Sequence, residues 1–140
     1  ITESVAMREP RQVRSHMQNL KSMGIRFAVD DFGTGHSGLA TLKDFPFDVI
    51  KIDRAFVQTA EHSARHRAIA KTIFYLADVM RLETVAEGVE TDEQFAFVKN
   101  YGATYAQGYL FSKPLCFDDL QKFARRFDME RQSKQTRIAI

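Results

Sequence analysis

Two adjacent carboxylates, Asp30 and Asp31, are the residues of this sequence whose types and spacing most suggest chemistry. They follow the apolar, β-prone segment Phe27-Ala28-Val29 and precede the glycine-rich segment Phe32-Gly33-Thr34-Gly35. A strand alternates its side chains between two faces, so neighbouring aspartates at its end bring no benefit to the strand itself. Hard divalent cations are held by carboxylates, water and substrate phosphate, and two ions can share one aspartate. Because Asp and Gly are also common in turns, the pair alone leaves a turn and a metal site equally open.

The composition indicates one ordinary globular domain. The chain has 140 residues, of which 44% are hydrophobic and 27% charged, and its formal net charge of +2 gives no argument for nucleic-acid binding. The single Cys116 excludes an internal disulfide and a cysteine-rich zinc site. Since no apolar run reaches membrane-spanning length and no signal peptide is recognisable, we expect a cytoplasmic location, with a membrane-anchored parent protein left open.

Strand and helix patterns alternate four times with short connections. The spacing predicts strands at residues 26–30, 48–53, 83–87 and 104–111, and helices at residues 5–23, 37–45, 62–82, 91–102 and 117–127. Pro10 either divides the first helix or starts its main part, and Gly24 is expected to end it. This alternation is typical of parallel βα units. We expect one domain over residues 1–127, followed by a polar, basic tail at residues 128–140 that is a linker, a longer helix or disordered.

Polar residues recur at or just past the carboxyl ends of the predicted strands, namely Asp30, Asp31, Lys51, Asp53, Glu87 and Gln107. Four βα units can form a small open sheet or half of an eight-stranded barrel. In a barrel these strand ends converge on one mouth, where active sites are assembled. The repeated pattern therefore favours the half barrel, with the polar residues gathered at its mouth.

Four motifs in this chain resemble the EAL domain of bacterial cyclic di-GMP phosphodiesterases. They are Asp30-Asp31-Phe32-Gly33-Thr34-Gly35, Lys51-Ile52-Asp53, Val85-Ala86-Glu87-Gly88-Val89-Glu90-Thr91 and Gln107-Gly108-Tyr109-Leu110-Phe111-Ser112-Lys113-Pro114. They occur in the order of the family and nearly span residues 1–127. The resemblance implies that the chain is the second half of a TIM-like (β/α)8 barrel, and that the parent protein is an enzyme that hydrolyses cyclic di-GMP to linear pGpG.

The resemblance also implies a role for each motif residue around two Mg²⁺ or Mn²⁺ ions. Asp30 would bridge the ions, Asp31 would bind the second one, and Asp53 would support it. Lys51 would lie beside the attacking water and the phosphate, where a cation stabilises developing negative charge. The alternative is that Lys51 is only the partner of Asp53, but the combined motif match favours the site. Glu87 would be the general base or part of the metal-water network.

Three further residues would stand around that centre. Glu90 and Gln107 match outer residues of the network, and Glu3 matches the glutamate that anchors a loop at residues 32–39. In the family this loop links the metal site to dimerisation. His36 and Gly38 stand where many relatives have Tyr and Ser, which is a mild departure.

The Glu-Ala-Leu tripeptide and an upstream asparagine motif, which supply much of the first metal's ligation in the family, are absent from this sequence. We therefore expect a fragment with little or no turnover of its own, whose open sheet edges favour aggregation, a homodimer or domain exchange. We expect an upstream sensory or regulatory domain in the parent. Three alternatives stay open: a non-catalytic cyclic di-GMP receptor, an interaction module without catalysis, and an unrelated enzyme with metal carboxylates on barrel strands.

Overall fold

Four parallel strands form one sheet in the order in which they occur along the chain. The computed structural model describes residues 1–2, 9–33, 38–60 and 63–131, without the side chains of residues 38 and 127–131. The strands are β1 (Ala28–Phe32), β2 (Val49–Ile52), β3 (Glu83–Ala86) and β4 (Tyr105–Ala106), and each pairs in parallel with the next. The predicted set of four parallel β/α units is confirmed.

Helices connect and flank these strands. They are α1 (Pro10–Ser22), α2 (Gly38–Asp44), α3 (Arg54–Thr59), α4 (Ala64–Val79), α5 (Asp92–Asn100) and α6 (Phe117–Arg131). Each parallel crossover therefore contains at least one helix, as βαβ connections require. The short helix α3 was not predicted, and α6 continues past the predicted end at residue 127.

The core lies between the sheet and the helices that cover it. Val29, Ile50 and Ile52 of the strands are fully buried. They belong to one cluster with Met17 of α1 and Phe74 of α4. Removing one such aliphatic side chain from water contributes about 1.5–3 kcal/mol. This packing holds the strands in register, so their carboxyl ends are fixed relative to one another.

The helix boundaries follow the local sequence signals. Helix α1 begins at Pro10, so the proline starts the main helix, and Gly24 with φ of 88° follows its end. Thr91 and Gln94 form a complete capping box at the start of α5. The first turn of α5 is therefore fixed just after the loop that carries the β3 motif.

The fourth strand is much shorter than the predicted range 104–111. After Ala106 the chain turns back on the loop that follows β3: Leu110 N donates to Val89 O at 3.0 Å, and Val89 N donates to Gln107 O at 3.1 Å. Gly108 permits this approach, because a Cβ at that position would lie 2.0 Å from Val89 O. The motif around Gly108 is therefore a turn against the β3 loop, and its apolar residues had suggested a strand.

The outer edge of β1 is also paired. Thr2 forms a parallel bridge with Asp30, and Asp30 N donates to Ile1 O at 3.0 Å. Residues 1–2 thus extend the sheet beside β1. Among the described residues, the helices are all too short or too polar to cross a bilayer.

Candidate metal and catalytic site

A bulge at the end of β1 brings the two neighbouring aspartates to the same edge of the sheet. The register with β2 shifts between Val29 and Phe32, since three steps along β1 match the two steps from Ile50 to Ile52. Asp31 takes up the extra residue with φ of 54°, a conformation that residues other than glycine seldom adopt. Bulges of this kind redirect a side chain. The bulge removes the strict alternation that would have separated Asp30 from Asp31.

Glu87 completes a cluster of three carboxylates. It directly follows β3, and its backbone N–H donates to Ile52 O at 3.0 Å. One carboxylate oxygen from each of Asp30, Asp31 and Glu87 lies within 4.8 Å of the other two. Asp30 and Glu87 are partly buried, whereas Asp31 is exposed. Three convergent carboxylate oxygens, one of them open to solvent, fit a hard divalent cation that retains water ligands.

Lys51 joins two members of this cluster. Because β2 lies between β1 and β3, the side chain of Lys51 reaches both neighbours. Its Nζ lies 2.7 Å from Asp30 Oδ1 and 2.6 Å from Glu87 Oε1. These contacts differ from the simpler sequence interpretation, in which Lys51 pairs with Asp53.

The ion pairs shift the protonation equilibria of two groups. The hydrogen bond from Lys51 holds the pKa of Asp30 below its usual value. Partial burial alone would lower the pKa of Lys51, but the hydrogen bonds to Asp30 and Glu87 together outweigh it and raise that pKa. The site therefore contains a carboxylate and an ammonium group that favour each other's charged form.

Asp53 occupies a different position from the three clustered carboxylates. Its side chain accepts a hydrogen bond from Ala55 N at 2.8 Å and so caps α3. Within the described part of the chain, the group of mutually close carboxylates consists of Asp30, Asp31 and Glu87. A metal-supporting role for Asp53 stays a prediction.

The remaining predicted site residues lie around this edge or outside the described residues. Glu90 is held on the β3–α5 loop, because its N–H donates to Gln94 Oε1 at 2.7 Å and its Oε1 accepts from Gln58 Nε2 at 3.2 Å. Gln107 is exposed at the end of β4, where its N–H donates to Ala86 O at 2.8 Å. Glu3 and residues 34–37, including His36, lie outside the described residues.

Gln58 of α3, which donates to Glu90, was not among the predicted site residues. The sequence signal for α3 is short. It consists of the capping aspartate and six helical residues, of which Phe56 and Val57 face inward. Such a helix has too few turns for a clear 3.6-residue pattern. The contact with Glu90 therefore emerges only once α3 is placed.

This chain is similar in sequence and fold to known proteins over most of its length. The family described as "EAL domain" matches residues 1–114. The cyclic di-GMP phosphodiesterase NbdA of Pseudomonas aeruginosa is 41% identical over 130 residues, which are 91% of this chain and 17% of NbdA. This chain thus spans a small part of that relative.

Solved structures give the same result. The EAL domain of Mycobacterium smegmatis DcpA aligns with a TM-score of 0.84 and 37% identity, over 90% of this chain and 56% of that one. The manganese/cyclic di-GMP complex of Klebsiella pneumoniae BlrP1 aligns with a TM-score of 0.75 and 35% identity, over 81% of this chain and 29% of that one. A calcium/cyclic di-GMP complex of BlrP1 aligns similarly, with a TM-score of 0.74. Since the family match covers most of the sequence and carries the clustered carboxylates, this chain belongs to the EAL domain family.

Proposed function

We propose that this chain is part of a metal-dependent phosphodiesterase domain that hydrolyses cyclic di-GMP to linear pGpG in bacterial second-messenger signalling. The observation that carries the proposal is the cluster of Asp30, Asp31 and Glu87, whose carboxylate oxygens lie within 4.8 Å of one another and two of which contact Lys51. The similarity to NbdA, a named cyclic di-GMP phosphodiesterase, supports the choice of substrate.

Asp30, Asp31 and Glu87 would hold Mg²⁺ or Mn²⁺, and Asp53 would support the second ion. The donor set fits these ions, since all three clustered groups offer carboxylate oxygen. When bound, such ions lower the pKa of a water molecule and neutralise charge on the phosphate oxygens. The similar protein BlrP1 was solved as a manganese/cyclic di-GMP complex, which supports the use of a divalent ion.

The protein's own groups supply positioning and charge. Lys51 is held between Asp30 and Glu87, so its ammonium group is fixed where negative charge grows on a phosphate placed at the cluster. Glu87 is suited to accept a proton from water, because its carboxylate is already directed at the cluster. Glu90 and Gln107 would complete an outer hydrogen-bonded network, and Glu3 would anchor the loop at residues 32–39.

We expect the whole protein to contain at least one domain in addition to the part that this chain represents. NbdA is about six times as long as the matched region, which supports an additional sensory or regulatory domain. The Glu-Ala-Leu tripeptide is absent from this sequence, so we expect little turnover from residues 1–140 alone. A homodimer or domain exchange through the sheet edges is part of the same proposal.

The test is hydrolysis of cyclic di-GMP by the full-length protein that contains this chain, with Mg²⁺ and with Mn²⁺, followed by chromatography of pGpG. We expect Asp30→Asn to lower turnover by at least about 100-fold, because even an outer partner of a metal ligand contributes 10–100-fold. Asp78→Asn, an exposed aspartate on α4, is the matched control and should leave turnover unchanged.

The outcome separates the candidate functions. Turnover that is lost in Asp30→Asn and kept in Asp78→Asn supports the phosphodiesterase. Tight binding of cyclic di-GMP without turnover would replace it with the non-catalytic receptor. Neither binding nor turnover would leave an interaction module.

A further inference from the structure

Arg54 packs against Gly88, the residue that follows Glu87 of the carboxylate cluster, although Arg54 is not among the motif residues. It is the first residue of α3. Gly88, which directly follows Glu87, has φ of 67°, and a Cβ added to it would lie 2.4 Å from Arg54 Cβ and 3.3 Å from Arg54 Cα. Gly88 therefore leaves the space that the base of the Arg54 side chain fills. Arg54 is therefore in contact with the residue that directly follows Glu87.

The guanidinium group of Arg54 differs from the charged groups of Lys51 and Arg26 because these two form ion pairs with carboxylates. Lys51 is shared between Asp30 and Glu87, and Arg26 pairs with Glu83 at the other end of β3. Arg54 is exposed, and within residues 1–2, 9–33, 38–60 and 63–131 its guanidinium makes no ion pair or hydrogen bond. Its positive charge is therefore available to a ligand at this edge of the sheet.

The chemistry of the proposed substrate calls for such a cation. Cyclic di-GMP has two phosphates, and the carboxylate cluster with its bound ions would engage the one that is attacked. The second phosphate and the guanine bases would extend beyond the cluster, and Arg54 lies just after β2 at the end of the sheet that carries the cluster. An arginine offers a planar pair of N–H donors that matches two adjacent acceptor atoms.

We propose that Arg54 binds the cyclic dinucleotide away from the attacked phosphate, by donating a pair of hydrogen bonds to two adjacent acceptors. These acceptors are either the oxygens of the second phosphate or O6 and N7 of one guanine. This inference rests on the proposed function. It makes Arg54 a residue for affinity and substrate choice, separate from the residues that promote hydrolysis.

The experiment measures binding of cyclic di-GMP to the full-length protein by calorimetry. Ca²⁺ is the added metal, since it accompanies the ligand in a BlrP1 complex. Arg54→Gln should raise the Kd by about 10-fold, the size of one lost bidentate contact, and Arg54→Lys should raise it less. The matched control is Arg81→Gln, an exposed arginine that precedes β3 at the end opposite Glu87. It should change the Kd by less than about twofold.

A second arm identifies the acceptors. In the analogue with 7-deazaguanine, carbon replaces the N7 acceptor. If Arg54 contacts guanine, this analogue binds the wild type more weakly, and Arg54→Gln weakens it little further. If Arg54 contacts the second phosphate, Arg54→Gln raises the Kd of cyclic di-GMP and of the analogue by the same factor.

Kinetics under Mg²⁺ give an independent readout. Because Arg54 is assigned to binding, Arg54→Gln and Arg54→Lys should raise KM and leave kcat within about threefold of the wild type. A wild-type protein that binds cyclic di-GMP with a Kd unchanged by Arg54→Gln and Arg54→Lys would overturn the role of Arg54 alone. A wild-type protein that neither binds nor hydrolyses cyclic di-GMP would overturn the proposed function, and this inference with it.

Discussion

Asp31 has a backbone conformation that its sequence context does not suggest. A φ of 54° at a residue other than glycine costs on the order of 1–3 kcal/mol and persists only when the surrounding structure imposes it. This backbone conformation lets the carboxylates of Asp30 and Asp31 converge with that of Glu87. The sequence indicated that the adjacent aspartates needed a reason outside the strand. It did not indicate the bulge, because a bulge depends on the register with β2.

Lys51 is the residue whose replacement separates electrostatic stabilisation from ligand binding. Lys51→Met keeps most of the side-chain length and removes the ammonium group that contacts Asp30 and Glu87. We expect kcat for cyclic di-GMP hydrolysis by the full-length protein to fall by about 100-fold or more, the typical effect of losing one preorganised donor. Steady-state kinetics measure this effect.

The control is Lys122→Met, which removes an exposed ammonium group on α6 that forms an ion pair with Asp119. Its kcat should match the wild type. If Lys51→Met retained wild-type kcat, Lys51 would be a structural partner of the carboxylates and not a contributor to hydrolysis.

At the scale of elements, the loop after β3 is held from two sides. Gly88 approaches Arg54 of α3, and Gly108 after β4 approaches the backbone of Val89. Hydrogen bonds between Val89 and residues 107 and 110 complete the arrangement. These contacts fix the position of Glu87 relative to its neighbours. They also explain why the predicted fourth strand was too long, since contacts distant in sequence override the β-propensity of Tyr109, Leu110 and Phe111.

The turn before β2 depends on Asp48, which provides a pH test of the fold. Asp48 Oδ1 accepts from Lys21 Nζ at 2.6 Å and Asp48 Oδ2 from Phe27 N at 2.8 Å, so this side chain joins α1 to the start of β1. Partial burial would raise the pKa of Asp48, but these hydrogen bonds outweigh it and hold the pKa below the ordinary 3.8. The stabilisation by the ionised carboxylate is therefore present above that value and lost as the pH falls through the lower, folded-state pKa.

Asp48→Asn should lower the free energy of unfolding at neutral pH by about 1.5–3 kcal/mol, the usual range for hydrogen bonds to a charged group. The deficit relative to wild type should shrink as the pH falls below the folded-state pKa, where wild-type Asp48 is also neutral. Urea unfolding at neutral and acidic pH measures both values, with Asp78→Asn as an exposed control. An equal deficit at both pH values would show that the charge of Asp48 is unimportant.

At the scale of the whole molecule, the four parallel units and the end of the sheet that carries the candidate site residues were predictable from sequence. Regular alternation of apolar segments and helices specifies parallel units, and such units place Asp30, Lys51 and Glu87 at one edge. The partners of those side chains were not predictable, as the Lys51 contacts and the capping role of Asp53 illustrate, because they depend on register and on rotamers. Helix α3 was not predicted because six residues are too few to show a helical pattern.

We propose that Asp30, Asp31 and Glu87 hold a divalent ion for phosphodiester hydrolysis. The most direct measurement is an anomalous difference map from crystals of the full-length protein grown with Mn²⁺ and cyclic di-GMP. We expect a manganese peak at roughly 2.0–2.2 Å from the oxygens of these carboxylates, the range of a small octahedral cation, with a ligand phosphate beside it. Density for the nucleotide without manganese at this cluster, or with manganese only elsewhere, would show that these three carboxylates do not hold the ion.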